Sequence, residues 1–245
     1  MRFCCPNCSR DEEILVDRKP RCIVCSMTMI PASDYSQLWM SPYTAIVRMR
    51  TISETYGTEP GRTERRFQKE REAWATGVLA LALSKLKHEE WWIEVETREP
   101  TPDTKLHHID QSSGHNAVQT RNIEVVDWEE NVDDIMEVIQ KKCRRAYPGH
   151  FLLVVNARHG GKVIYVDQIV EAMKEIRSPF LEVWVVGVVG LNHMTAFRAA
   201  PSGPIVDLER ADLQLASKQR RFLKRGIRGT IPGFQDLGTA FLPIP

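Results

Sequence analysis

Residues 90–128, EWWIEVETREPTPDTKLHHIDQSSGHNAVQTRNIEVVDW, decide the fold class. Glu90–Thr97 alternates and is rich in aromatic residues, which marks a strand. Pro100–Asp103 is a break. Lys105–Asp110 (KLHHID) reads as a short second strand, and Gln111–His115 as a polar turn containing Gly114. Arg121–Trp128 (RNIEVVDW) is the third strand. Three strands in succession suggest a meander.

The flanks of this stretch are helical. Upstream, Thr63–Lys87 carries the stripe Phe67, Trp74, Val78, Leu81 and Ala82 at the 3.6 period. Its first turns are charged and its last turns apolar, so the N-terminal half is expected in solvent and the C-terminal half buried. Downstream, Asn131 reads as an N-cap with Asp133 and Asp134 in the first turn. Val132, Ile135, Met136, Ile139, Cys143 and Ala146 form the stripe of that helix. Phe151–Ala157 is a fourth strand, Val166–Arg177 a third helix, Leu181–Val189 a buried strand and Thr195–Ala199 one more. Leu208–Arg225 reads as a final helix closed by Gly226. The order α-β-β-β-α-β-α-β implies an α/β body with a mixed sheet flanked by helices. We expect that body over 63–200, preceded by a connector at 33–62 and followed by a basic C-terminal helix and tail at 201–245.

Five of the six cysteines lie in the first 25 residues. Cys5-Pro6-Asn7-Cys8 and Cys22-Ile23-Val24-Cys25 form two CxxC pairs. Each pair can put two thiolates on one tight turn, and two such turns give a tetrahedron of sulfurs suited to Zn²⁺. Iron is the alternative metal, because four cysteines also suit it. Cys4 is a spare sulfur. The segment resembles a zinc ribbon, with CIVCSMTMIP over Cys22–Pro31 as its second knuckle, and 1–32 is expected to be that small domain. A closed four-cysteine site has no open position for chemistry, so the zinc is expected to be structural.

The chain has 33 Lys+Arg against 32 Asp+Glu, a net charge of +1 over 245 residues. That excludes a polybasic protein, so nucleic-acid contact must come from a local patch. The longest apolar run, Val183–Leu191, is far short of the roughly 20 residues of a membrane span. No secretory signal is visible at Met1–Ser9, and a cytoplasmic location is expected. The local patch is Lys218, Arg220, Arg221, Lys224 and Arg225, read either as phosphate contacts or as cations favouring a helix C-terminus. Nucleic acid is the expected partner, DNA favoured, with a protein partner as the alternative. Phosphate-loop, nucleophile-elbow and HExxH patterns are missing.

The strand order, with acids on the second and third strands, resembles the PD-(D/E)XK nuclease superfamily over residues 63–190. The resemblance implies a restriction-endonuclease-like fold and Mg²⁺-dependent phosphodiester hydrolysis. It assigns metal binding to Glu124 in Ile123-Glu124-Val125-Val126 and to Asp110, with Asp103 of the literal Pro102-Asp103 as a rival. Glu70 on the first helix is the expected assisting acid, because it flanks the inward stripe while Glu72 lies nearer the opposite side. The superfamily's lysine falls two residues after the glutamate, where this chain has Val126. Lys142, beside the stripe of the following helix, is the candidate replacement. The alternative is a non-catalytic zinc-ribbon module that binds DNA or protein on the same fold.

Overall fold

A computed structural model describes residues 2–4, 11–13, 30–31, 38–95, 101–110, 117–129, 132, 134–147, 149–158, 163–190, 193–219, 221–224, 230–231 and 234–235. Near the N-terminus, β1 (Arg2–Cys4) pairs antiparallel with β2 (Asp11–Glu13) and β3 (Ile30–Pro31). The body contains β4 (Leu38–Met40), α1 (Pro42–Tyr56), α2 (Thr58–Thr63) and α3 (Gln68–Lys87). Next come β5 (Trp91–Val95), β6 (Thr104–Asp110), β7 (Ala117–Trp128), α4 (Ile135–Cys143) and β8 (Phe151–Ala157). They are followed by α5 (Val166–Lys174), β9 (Glu182–Gly190), β10 (His193–Ala200), β11 (Ile205–Leu208), α6 (Arg210–Ala216) and β12 (Phe222–Lys224). Two short strands, β13 (Thr230–Ile231) and β14 (Phe234–Gln235), pair with each other.

One nine-stranded sheet runs in the order β11-β10-β9-β8-β7-β6-β5-β4-β12. Its centre, β7-β8-β9, is parallel and both wings are antiparallel. The connections explain this division. Helices α4 and α5 lie between successive central strands, and a parallel pair needs such a crossover. The fold is therefore α/β, with a large mixed sheet flanked by helices.

The central strands are covered on both faces, so they read as continuous apolar runs. Leu152, Val154, Trp184 and Val186 pack with the leucines and alanines of α3 on one face. Leu153, Val155, Val183 and Val185 pack with Ile135, Ile139, Ile169 and Met173 of α4 and α5 on the other. Ala75 and Val78–Leu83 are all buried in α3, which α1 also covers. Where α1 and α3 cross, Gly77 lets the chains approach. A Cβ there would stand 3.2 Å from the Pro42 carbonyl oxygen and 3.3 Å from Ala45 Cβ.

Three readings need correction. The charged first half of α3 is not simply solvated, because Glu70 and Glu72 are buried with polar partners. Residues 38–56, within the stretch 33–62 read as connector, supply β4 and α1 to the body. The helix expected over Leu208–Arg225 ends at Ala216. Phe222 and Leu223 then pair with Met40 and Trp39 as an edge strand, each buried, on opposite faces. Two adjacent apolar residues that bury opposite faces satisfy a strand's period of two.

Candidate active site

Strand β7 outruns its neighbour. Its first half pairs with β6, Asn122 and Ile123 pair on both sides, and from Glu124 opposite Leu153 to Trp128 opposite Ala157 the strand pairs only with β8. A notch opens where β6 begins, and the candidate site lies there. Thr104 faces Ile123 across the hairpin. Asp103 and Glu124 come next along the two strands, near enough that the Glu124 charge acts on the Asp103 carboxyl. Asp103 fills the missing strand's role: its backbone N–H donates to Ile123 O (3.0 Å), and its Oδ2 accepts from Val125 N (2.9 Å).

Glu124 is 4% exposed. Lys142 Nζ of α4 donates to its Oε1 at 2.6 Å, and Tyr147 Oη donates to the same oxygen at 3.0 Å. Burial and the Glu124 charge push the Tyr147 phenol up, against the pull of Lys142, so it remains a donor at neutral pH. The second oxygen, Oε2, is buried with no hydrogen-bond donor among the described residues. That is an expensive state for a carboxylate oxygen.

The first turns of α3 deliver the third acid. Thr76 shares a hydroxyl hydrogen bond with Thr104 at 2.7 Å and so ties α3 to the start of β6. One turn earlier is Glu72, held by Gln68 (2.9 Å) and Lys69 (2.8 Å). Lys69 Nζ also stands 3.8 Å from Asp103 Oδ1. Burial raises the Glu72 pKa, and the neighbouring Asp103 charge adds to the rise against Lys69 and Gln68. Burial likewise raises Asp103, and the Glu124 charge adds to it, with the Val125 amide, Lys69 and Lys142 pulling down. Close carboxylates that resist ionisation favour a bound cation.

The expected residues divide as follows. Glu124 and Lys142 meet. Asp110 does not join them: it lies at the exposed far end of β6, opposite Ala117. Glu70 turns the other way, to Arg48 of α1 at 3.0 Å, both buried. In their places stand Asp103 and Glu72. The hairpin carried the signal for Asp103. A polar turn over Gln111–His115 puts Glu124 opposite residues near 102–103, not opposite Asp110. Glu72 was obscured because α3 is buried on several sides, so one stripe does not define its inward face. Val126 shares the Glu124 face and packs into the apolar cluster of α4 and α5. A lysine there would be driven into that cluster, whereas Lys142 reaches Glu124 from the helix covering the same face.

Cys5, Cys8, Cys22 and Cys25 lie outside the described residues, as do Arg220 and Arg225. Lys218 and Arg221 are exposed. Cys143, in α4, has its thiol pushed up by burial and lies 3.8 Å from Ser178 Oγ. Among the described residues, no three His, Cys, Asp or Glu side chains form a ready-made metal cage. Mg²⁺ does not require one, because it uses one or two carboxylates and takes the rest of its shell from water and phosphate. The neighbouring Asp103 and Glu124, with Glu124 Oε2 lacking a donor among the described residues, fit that demand. No helix among the described residues is long and apolar enough to cross a membrane. No family model, curated protein or solved structure matches the chain.

Proposed function

We propose that this protein is a Mg²⁺-dependent nuclease with a restriction-endonuclease-like body and a structural zinc ribbon. The observation that carries the reading is the nearness of the Asp103 carboxylate, bonded to Val125 N, to Glu124 in the notch of the sheet, with Lys142 on Glu124. Asp103 and Glu124 hold the ion. When bound, Mg²⁺ polarises the scissile phosphate and lowers the pKa of the attacking water. Lys142 holds Glu124 in place and presents a positive charge to the phosphate, where negative charge develops. Glu72, its pKa raised by burial, orients the water by hydrogen bonding. Water adds to phosphorus and the ester oxygen leaves, giving a phosphomonoester and a hydroxyl end. Cys5, Cys8, Cys22 and Cys25 hold the zinc. Lys218, Arg220, Arg221, Lys224 and Arg225 supply non-specific phosphate attraction, with DNA the favoured substrate.

The test incubates the full chain with single- and double-stranded DNA and RNA, with Mg²⁺, Mn²⁺ or EDTA. Asp103→Asn, Glu124→Gln, Lys142→Met and Asp110→Asn variants run beside it. Metal-dependent cleavage is expected to fall at least about a hundredfold in the first three and to persist in Asp110→Asn. Cleavage that survives Asp103→Asn overturns the metal assignment. The second reading, a non-catalytic DNA-binding module, is favoured by Val126 at the superfamily's lysine position. It is the outcome if salt-sensitive DNA binding occurs with no cleavage under any metal.

A further inference from the structure

The Glu124 carboxylate is held unevenly. Lys142 Nζ, at 2.6 Å, and Tyr147 Oη, at 3.0 Å, donate to the same oxygen, Oε1. The other oxygen, Oε2, is buried and receives no hydrogen bond among the described residues. A carboxylate oxygen has two lone pairs, so an ammonium and a phenol together fill Oε1. One oxygen of Glu124 is thereby closed to a cation and the other is left open.

Tyr147 lies just beyond α4, whose last turn carries Lys142. Its ring centroid is 4.6 Å from that of Phe180 and 5.9 Å from that of Phe151. Those contacts account for an aromatic ring at this position, and a phenylalanine would make them equally well. They do not account for the hydroxyl, which reaches a buried acid on β7 that already has an ion-pair partner. An ammonium on a flexible stem can follow a rotating carboxylate. A phenol set in an aromatic cluster cannot, so the second donor fixes which oxygen faces the notch.

Asp103 is limited in a similar way. Its Oδ2 accepts from Val125 N at 2.9 Å, and its Oδ1 stands 3.8 Å from Lys69 Nζ, beyond hydrogen-bond reach. Each acid therefore presents chiefly one oxygen. Cations differ in how they use such a pair. Mg²⁺ takes six ligands at about 2.1 Å, accepts single carboxylate oxygens and completes its octahedron with water. Ca²⁺ takes roughly six to eight ligands at about 2.3–2.6 Å and makes use of carboxylates that chelate through both oxygens.

We propose that Tyr147 is a positioning residue that sets the metal preference of the notch. With Lys142 it closes Oε1, confines Glu124 to ligation through Oε2 alone, and so favours Mg²⁺ over Ca²⁺. The inference rests on the reading of Asp103 and Glu124 as metal ligands and deepens it.

The test reads metal binding and does not pass through cleavage. Mn²⁺ bound to the full chain is followed by electron paramagnetic resonance and displaced by Mg²⁺ or by Ca²⁺. The variants are Tyr147→Phe, Lys142→Met and Asp103→Asn. Tyr147→Phe keeps the ring and its packing, and thermal unfolding in EDTA checks that it folds as the parent does. The parent chain is expected to prefer Mg²⁺. In Tyr147→Phe the ratio of Ca²⁺ to Mg²⁺ affinity is expected to rise at least about fivefold, the scale of one hydrogen bond to a charged group. Lys142→Met, which frees the other lone pair of the same oxygen, is expected to move the ratio in the same direction. Taking the ratio cancels the change in charge, which strengthens both ions alike. A purely structural role for Tyr147 would weaken both ions equally and leave the ratio where it was. An unmoved ratio in Tyr147→Phe, or a parent chain that prefers Ca²⁺, overturns the proposal while Asp103→Asn still abolishes Mn²⁺ binding and the metal reading stands. No Mn²⁺ binding by the parent, or binding that survives Asp103→Asn, overturns the metal reading itself and this proposal with it.

Discussion

Glu72 and Asp103 each bear a charge that the fold holds at a disadvantage. Both carboxyls are raised by burial and by a neighbouring acid. A raised folded pKa contributes stability that is complete below the ordinary carboxylate pKa and is withdrawn as pH rises through the folded value. The window therefore opens from about pH 4 upward. Glu72→Gln is expected to be more stable than the parent chain at pH 7 and to lose that advantage near pH 3. Urea midpoints at the two pH values measure it, and an advantage that is larger at the acid end would contradict the assignment. Such a gain in stability on removing a charged group is what a functional site produces. At the residue level, placement was legible in the sequence where one residue's neighbourhood was decisive. Glu124 in its strand and Lys142 beside an apolar stripe were both legible. Asp103 and Asp110 differ only through hairpin register, a relation between two distant positions, and choosing by spacing alone favoured the wrong end of β6 for a meeting with Glu124.

At the scale of elements, periodicity found α3, the meander and the alternating strands and helices after it, because burial on a face writes a period into the chain. It misread the segment after Leu208. Five basic residues in eight obscured the Phe222-Leu223 pair, whose burial depends on a partner strand some 180 positions earlier. The region of α1 was illegible for a related reason: its inward residues include Thr44 and Arg48, buried because Glu70 and the chain at Arg221 meet them. The α1–α3 crossing supplies the prediction that belongs here. Gly77→Val puts branched atoms against the Pro42 carbonyl, which is backbone and cannot swing aside. It is expected to destabilise the chain by about 1–3 kcal/mol. Thermal or urea unfolding checks it, and a neutral outcome would mean that the two helices separate easily.

For the whole molecule, composition and charge excluded a polybasic chain and a membrane-spanning helix, and the segment order anticipated a mixed sheet flanked by helices. Composition says nothing of metal content, and the zinc proposal rests on the paired CxxC spacings. Elemental analysis of the purified chain is expected to find about one zinc per chain, lost when Cys22 and Cys25 are replaced by serine, with the body still folded by circular dichroism. Zinc absent from the parent chain would remove the ribbon. The sheet's outermost pair has a further consequence. Met40 lies against Phe222 and Trp39 against Leu223, so the edge beside β4 is closed by a segment some 180 positions further along the chain. During synthesis, β4 leaves the ribosome long before its cover exists. The nascent body therefore carries an open sheet edge, with Trp39 and Met40 on it, until residues 222–224 have been made. The closure is a long-range event, of the kind that slows folding relative to helical proteins of similar size.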